Sequence, residues 1–366
     1  MKIALLTKAN SWHAPLWLEY LVRKGHKVYY IGIPPGGEAR IPKGVEYLNI
    51  NLRFSNKLMQ TIETIFKVRR LTREIEIDII HILGMRYAFC LPFVKSKKKV
   101  IESCGCDILN WPREYFAIRF VYKFLYNFVD GVIQDYKLIQ ELAIKYGAPT
   151  KHNEVIEFGI DFDIFNLNIK KQIARKKVNI EDEKMVFSPR GFEKVYSIET
   201  IIKSILIVRK TFPNVRYVFC NHLGNSGREF RQLASELQVR ENVIFTGFLD
   251  NEKDMPYFYA SADVVVSVPL SDSCPRTVCE AMACGTPVII SELPWYQDKF
   301  KNNQDLITVP VKDEEALAKA ILLILEGEKI IDLQSAYNKV KQNMDKNILS
   351  QRMERFYCQL LSDNSQ

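Results

Sequence analysis

Short apolar runs rich in β-branched residues alternate with segments of helical period along most of the chain. This alternation is typical of βαβ units around a parallel sheet that is buried on both faces. In the first half, the predicted strands are 2–6, 27–33, 45–50, 77–82, 99–103, 131–134 and 152–157, and the predicted helices are 14–24, 58–75 and 137–146.

A second series of the same kind follows a polar segment, 159–177, which has no clear period. Its predicted strands are 184–188, 217–220, 243–246, 264–268 and 288–291, and its predicted helices are 228–237, 278–283, 314–325 and 347–361. We therefore predict an α/β protein with two Rossmann-like doubly wound domains, 1–165 and 166–345. The remaining residues, 346–366, are predicted to form a C-terminal helix.

The composition further predicts a large hydrophobic core and a cellular compartment. Of the 366 residues, 47% are hydrophobic and 26% are charged, which is ordinary for a globular protein. No apolar run approaches the roughly 20 residues that span a bilayer, and no cleavable leader is visible, so we expect a cytoplasmic protein. Most of the eight cysteines lie in apolar runs, where reduced thiols are expected.

The net charge of +8 is concentrated in the first part of the chain, because residues 1–170 contain 25 basic and 17 acidic side chains. Basic groups cluster at 67–73 and 95–99, and the stretch 111–128 mixes aromatic with basic residues. The excess indicates either a solvated surface or attraction to an anionic membrane. For a cytoplasmic protein, that membrane surface would be the inner membrane face. Stretch 111–128 is compatible with an interfacial helix and equally with a buried one. Nucleic acid is not expected.

Candidate chemistry follows the predicted strand 264–268, because ligands of parallel sheets bind beyond the carboxyl ends of the strands. Ser273 or Cys274 is predicted to cap a helix, Pro275 to take its first position and Gly285 to end it. The free N–H groups of such a helix are suited to a diphosphate. Glu280 can accept hydrogen bonds from ribose hydroxyls and Asp272 from sugar hydroxyls; alternatively, Asp272 caps the helix and Glu280 lies on the surface.

The run SDSCPRTVCEAMACGTPVIIS resembles the donor signature of the retaining glycosyltransferases of family 4, the glycosyl transferases group 1, in the GT-B fold. The resemblance implies two domains facing across a cleft, a nucleotide-sugar donor, most often UDP-linked, and a glycan or glycolipid acceptor in polysaccharide assembly. It further implies that no cofactor is needed. The residues that it implies for donor binding in this run are Asp272, Ser273, Cys274, Pro275, Arg276, Thr277 and Glu280.

Three further segments resemble the family in the same order along the chain. SPRGFEKVYSIETIIKSI implies that Arg190 and Lys194 hold the donor diphosphate, so that Arg190, Lys194, Asp272 and Glu280 form the catalytic set. GFLDN implies that Phe248 and Leu249 contact the nucleotide base. EFGIDFDIFN resembles the signature at the domain junction.

The acceptor side is implied by two less similar segments of the first domain. KANSWH replaces a glycine-rich loop and offers Ser11 and His13, although a single loop histidine can also be purely structural. SCGCD matches a His-Gly-x-Asp motif and offers Cys104, Gly105 and Asp107.

A metal is not expected, because the Asp-x-Asp triplet at 161–163 lies in the junction signature and the cations above can neutralise the donor. The family implies retention of anomeric configuration, with the leaving phosphate accepting the proton. Two other functions stay open: a sugar-nucleotide epimerase of the same fold, and a catalytically weak sugar-nucleotide-binding subunit.

Overall fold

A computed structural model describes residues 1–11, 13–34, 40–103, 105–220 and 227–363. The chain divides into two compact units, one formed by Met1–Gly159 with Lys346–Gln366 and the other by Ile160–Asp345. The first unit thus ends at Gly159, whereas the sequence predicted a boundary after residue 165. The C-terminal helix belongs to the first unit.

The described residues of the first unit form a seven-stranded parallel sheet in the order β3-β2-β1-β4-β5-β6-β7. Its strands are β1 Lys2–Lys8, β2 Lys27–Ile33, β3 Glu46–Asn49, β4 Ile79–Leu83, β5 Lys98–Ser103, β6 Gly131–Gln134 and β7 Asn153–Val155. Its helices are α1 Ala14–Arg23, α2 Lys57–Glu74, α3 Gly105–Leu109, α4 Trp111–Glu114, α5 Ala117–Leu125, α6 Lys137–Lys145 and α14 Lys346–Ser362.

The described residues of the second unit form a six-stranded parallel sheet in the order β10-β9-β8-β11-β12-β13. Its strands are β8 Met185–Ser188, β9 Arg216–Phe219, β10 Val243–Phe245, β11 Val264–Ser267, β12 Val288–Ser291 and β13 Ile307–Val309. Its helices are α7 Lys171–Val178, α8 Ile198–Val208, α9 Arg228–Glu236, α10 Met255–Ser261, α11 Arg276–Ala283, α12 Glu314–Leu325 and α13 Leu333–Met344. The predicted α/β fold with two parallel sheets is confirmed.

Local chemistry explains where several of these helices begin. The side chains of Asn56, Asp313 and Asp332 each accept a hydrogen bond from a backbone N–H of the first helical turn, at the starts of α2, α12 and α13. The helix α7 overlaps the polar segment 159–177, where the lack of a clear period predicted no helix. That prediction is wrong because α7 is mostly polar, and its one fully buried residue, Ala174, leaves no visible apolar period.

The sheet of the first unit is tied to α14 by a buried polar chain. The Nδ1 atom of His81 lies 2.6 Å from the hydroxyl of Tyr357, and its Nε2 atom lies 3.1 Å from the Glu102 carboxylate. His81 and Glu102 are on adjacent strands and are fully buried, and Tyr357 is on α14. The helix is therefore held by a specific polar contact as well as by apolar packing of Leu349, Met353 and Phe356.

Replacing Tyr357 by Phe should lower the free energy of unfolding by about 1–3 kcal/mol, because the His81 imidazole loses its buried partner. Urea denaturation of the full chain measures the change. Tyr115→Phe, at an exposed position, is the control and should lie within about 0.5 kcal/mol of the parent. An unchanged transition in Tyr357→Phe would show that the buried contact contributes nothing.

Candidate functional site

Most of the predicted donor residues of the second unit follow two neighbouring strands of its sheet, β8 and β11. Arg190 comes two residues after β8, and the segment from Asp272 to Glu280 follows β11 and enters α11. Parallel neighbours place their carboxyl ends at the same edge, so these segments come together there.

Arg190 is the centre of a cluster at this edge. Its Nη2 atom lies 2.9 Å from Oδ2 of Asp272, and its Nη1 donates to the Thr277 hydroxyl at 3.2 Å. The guanidinium carbon lies 4.2 Å from the centre of the Tyr196 ring, a cation–π contact. Two residues that were predicted separately, Arg190 and Asp272, are thus one ion pair.

The pair is nearly excluded from water, since the side chains of Arg190 and Asp272 are 11% and 15% exposed. Burial alone would lower the pKa of Arg190, but the charge of Asp272 and the nearby Tyr196 outweigh it and raise that pKa. A guanidinium can donate five hydrogen bonds, more than its contacts with Asp272 and Thr277 use.

The helix α11 begins one residue later than predicted. Pro275 is the residue before the helix, with extended backbone angles (φ −69°, ψ 113°), and the helix starts at Arg276. The N-cap position is occupied by Pro275, which makes no side-chain cap hydrogen bond, so neither Ser273 nor Cys274 takes the predicted N-cap position. Gly285 follows its C-terminal end with φ of +74°, as predicted for a residue that ends a helix.

Glu280 lies inside the unit with 2% of its surface exposed, so the alternative that it is a surface residue is wrong. Its Oε2 accepts a hydrogen bond from the Tyr259 hydroxyl at 2.9 Å, and its Oε1 accepts one from Nη2 of Arg276 at 2.9 Å. Burial and the neighbouring Glu280 raise the pKa of Tyr259 well above its usual value. The Tyr259 hydroxyl therefore stays protonated and donates.

The remaining predicted donor residues differ in how far their side chains are exposed. Lys194 is exposed, at the start of a short 3-10 turn, Lys194–Tyr196. The Phe248 side chain is 58% exposed, whereas Leu249 is buried. Ser273 and Cys274 are buried, and the Lys299 ammonium lies 3.6 Å from the Cys274 sulfur. The roles proposed for these residues stay predictions.

Two tyrosines of the cluster, Tyr196 and Tyr259, were missed by sequence reasoning. Nothing in the local sequence distinguishes them from the other tyrosines of the chain. Their contacts with Arg190 and Glu280 are made only in the folded chain.

The acceptor-side candidates lie in the first unit, after β1 and β5. The Ser11 hydroxyl accepts hydrogen bonds from the backbone N–H of His13 at 3.4 Å and of Ala14 at 3.3 Å, and so caps the entry to α1. The His13 ring is stacked on Phe158, with the ring centres 3.9 Å apart. Both residues therefore have structural contacts, and their acceptor role stays a prediction.

In the second of these loops, Gly105 begins α3 and Asp107 is buried. Oδ2 of Asp107 accepts the backbone N–H of Met85 at 2.8 Å, which joins the loops after β4 and β5. Cys104 lies outside the described residues.

The Asp-x-Asp triplet of the second unit is used internally: Asp161 is buried and its Oδ1 accepts the backbone N–H of Asp163 at 3.1 Å. Within the described ranges, no group of three or more His, Cys, Asp and Glu side chains is arranged to hold a metal ion. The expected independence of metal stays a prediction.

Comparison with known proteins identifies the class. Residues 170–347 match the family model "Glycosyl transferases group 1", and residues 2–136 match "Glycosyl transferase 4-like". The chain belongs to the group 1 glycosyltransferases, which are of the family 4 type with the GT-B fold.

Two curated relatives and one solved structure are similar over most of the chain. The alpha-monoglucosyldiacylglycerol synthase of Streptococcus pneumoniae is 23% identical over 81% of this chain and 64% of its own length. The N,N'-diacetylbacillosaminyl-diphospho-undecaprenol alpha-1,3-N-acetylgalactosaminyltransferase of Campylobacter jejuni is 22% identical over 72% of this chain and 70% of its own length. The chain thus spans about two thirds of the length of these relatives.

The solved structure is Anabaena HepE in complex with UDP-glucose. It shares 18% identity with a TM-score of 0.78, over 98% of this chain and 100% of that one. At this identity the likeness shows the fold. In the part of the chain that the structure describes, no helix is both long and apolar enough to cross a membrane.

A double-mutant cycle should show strong coupling between Arg190 and Asp272. Removing either partner leaves a poorly hydrated charge, so we expect a coupling of about 1–3 kcal/mol in the free energy of unfolding for Arg190→Ala and Asp272→Ala. The exposed pair of Lys203 and Glu199, with N and O atoms 2.6 Å apart, is the control and should couple by no more than about 0.5 kcal/mol. Equal coupling in the two pairs, measured by urea denaturation, would contradict the burial argument.

Proposed function

We propose that this protein transfers a sugar from a nucleotide-diphosphate donor, a UDP-sugar, to a hydroxyl of a glycan or lipid-linked acceptor. The observation that carries the proposal is the Arg190 cluster: a buried guanidinium, held by Asp272 and Thr277, beside the start of α11. A fixed cation next to a helix N-terminus is suited to a diphosphate. The relatives named above act on lipid acceptors by name, and HepE was solved with UDP-glucose.

The proposed roles divide between charge and recognition. Arg190 and the N–H groups of α11 stabilise the charge that grows on the leaving phosphate, with Lys194 as a second cation. Glu280 accepts the ribose hydroxyls. Because positive groups are already fixed at the diphosphate position, we propose that no metal is required.

The reaction is proposed to retain the anomeric configuration. The bond from the anomeric carbon to the leaving phosphate oxygen breaks, the acceptor oxygen bonds to the same face of the sugar, and the leaving phosphate takes the acceptor proton. The protein then contributes orientation and charge stabilisation rather than a separate base.

Replacing Arg190 by Ala should lower kcat by about 100-fold or more, because a fixed charge at the leaving group is lost. Arg209→Ala is the control: Arg209 lies in the same unit, and its Nη1 donates to the backbone carbonyl of Gln238 at 2.6 Å. Turnover is measured as release of UDP from UDP-glucose, with UDP-galactose and UDP-N-acetylglucosamine as further donors, each with and without acceptor.

The same assay distinguishes the other two functions. An epimerase would convert the donor without acceptor, and a binding subunit would bind it without turnover. Activity that is lost in EDTA and restored by Mn²⁺ would contradict the metal-free mechanism.

We further propose that the first unit docks on an anionic membrane surface through α2 and α5. The sequence left open whether the stretch 111–128 is buried; in the structure Phe116, Phe120 and Phe124, which share one face of this segment, are 64%, 64% and 57% exposed. Tyr122 and Leu125 on its other face are buried. The wholly buried alternative is therefore wrong.

The helix α2 carries a second exposed stripe. Leu58, Ile62 and Phe66 recur every four residues with 68%, 39% and 65% exposure, and the same face continues to Arg70 and Arg73.

Sheet topology places both stripes on one side of the first unit. The connections β3 to β4, through α2, and β5 to β6, through α5, run in the same direction along the sheet. Right-handed crossovers that run in the same direction put their helices on the same face. Exposed aromatic and aliphatic side chains beside basic residues are typical of a membrane-surface contact.

Docking should require both anionic lipid and the exposed aromatic residues. We expect the protein to float with vesicles of phosphatidylglycerol and phosphatidylcholine at 0.1 M salt and to lose this binding at 1 M, where the Debye length falls from about 10 to 3 Å. The triple variant Phe116→Ser, Phe120→Ser, Phe124→Ser should also lose it. A control with Ile330→Ser, an exposed apolar residue of the second unit, should bind normally. Equal flotation with pure phosphatidylcholine would contradict the proposal.

A further inference from the structure

The Tyr259 side chain is a fixed hydrogen-bond donor inside the second unit. The residue is 0% exposed, and its ring contacts Phe187 and Phe165, with ring centres 5.5 and 6.0 Å apart. Its backbone carbonyl accepts the Thr286 hydroxyl at 2.7 Å. The ring and the backbone are both held, so the hydroxyl has one position, 2.9 Å from Oε2 of Glu280.

The two oxygens of the Glu280 carboxylate have different partners. Tyr259 donates to Oε2, and Arg276, one turn earlier on α11, donates to Oε1 at 2.9 Å. Each carboxylate oxygen can accept about two hydrogen bonds, so, counting the described residues, one site remains on each oxygen. Two acceptors that lie side by side match the two vicinal hydroxyls of a ribose.

We infer that Tyr259 is a positioning residue, which sets the orientation of the Glu280 carboxylate toward the vicinal hydroxyls of the donor ribose. The inference rests on the proposed function, since it requires that Glu280 binds a ribose. It adds a residue for which neither the sequence motifs nor the relatives indicate a role.

The competing arrangement explains why a second donor is needed. An arginine and a carboxylate tend to pair through two parallel hydrogen bonds, which would turn both Glu280 oxygens toward Arg276. A donor on the opposite oxygen prevents this rotation. Tyr259 supplies that donor in neutral form, because burial and Glu280 keep its pKa far above the working range.

A residue of the junction signature packs against Tyr259. Phe165, the last of the three phenylalanines in the segment EFGIDFDIFN, is 1% exposed and packs edge-on against the Tyr259 ring. The segment is thus connected to Glu280 through one intermediate side chain. This contact gives the Phe of the motif a physical role.

The test compares Tyr259→Phe with the parent in calorimetric titrations with UDP and with 2′-deoxy-UDP. The phenyl ring keeps the packing and only the hydroxyl is lost. We expect UDP to bind about tenfold more weakly, the scale of one hydrogen bond to a charged group. The preference for UDP over 2′-deoxy-UDP should shrink, because the reoriented carboxylate no longer engages both hydroxyls.

The matched control is Tyr217→Phe. Tyr217 is also 0% exposed and lies in the same unit. Its hydroxyl accepts a hydrogen bond from the Ser204 hydroxyl at 3.4 Å, in the hydrophobic core that includes α8. The variant should bind both nucleotides like the parent. A similar loss of affinity in this control would show that any buried hydroxyl deletion disturbs the site and would overturn the inference.

Glu280→Gln and the double variant with Tyr259→Phe separate the inference from the proposed function. If Tyr259 acts through Glu280, adding Tyr259→Phe to Glu280→Gln causes little further loss of UDP affinity. If Glu280→Gln weakens UDP binding while Tyr259→Phe leaves both nucleotides unaffected, the positioning role is wrong and the ribose contact stands. If neither single variant weakens UDP binding, the proposed ribose contact fails together with the inference.

Discussion

Glu280 brings a carboxylate into the interior of the second unit, where 2% of the residue is exposed, and taking such a charge out of water costs several kcal/mol unless protein groups replace the water. The surrounding structure supplies those groups. Tyr259 comes from α10, Arg276 comes from the first turn of α11, and the Arg190 and Asp272 pair lies at the same edge of the sheet. The need to compensate buried charge thus explains why these residues occur together.

The same compensation prepares the site for a ligand. Arg190 is restrained by Asp272, Thr277 and Tyr196, so its orientation is set without a bound ligand. Restraint of this kind reduces the entropy that a ligand must otherwise remove on binding. Asp272 pairs with Arg190 in this structure, and its predicted contact with sugar hydroxyls stays a prediction.

In the first unit, the two sides of the sheet differ in how completely their apolar side chains are buried. Its sheet is covered on one side by α1 and α14, where Trp17, Phe356 and Tyr357 are almost completely buried. On the side that carries α2 and α5, large apolar side chains remain exposed beside basic groups. An exposed apolar stripe next to a buried core is a feature of interaction surfaces, and here it coincides with the half of the chain that carries the charge excess.

The sequence by itself determined the class of fold and most strand positions, because periodicity and helix signals are local. Motifs of fixed spacing also proposed Arg190 and Glu280 as donor residues, and the structure places both in the second unit, although their roles stay predictions. The sequence did not determine that α7 is a helix, that α11 begins after Pro275, or that Phe116, Phe120 and Phe124 are exposed. Tyr259 and Tyr196 became part of the site only through partners on other elements. Burial and pairing of charges depend on which distant segments meet, and only the tertiary structure decides this.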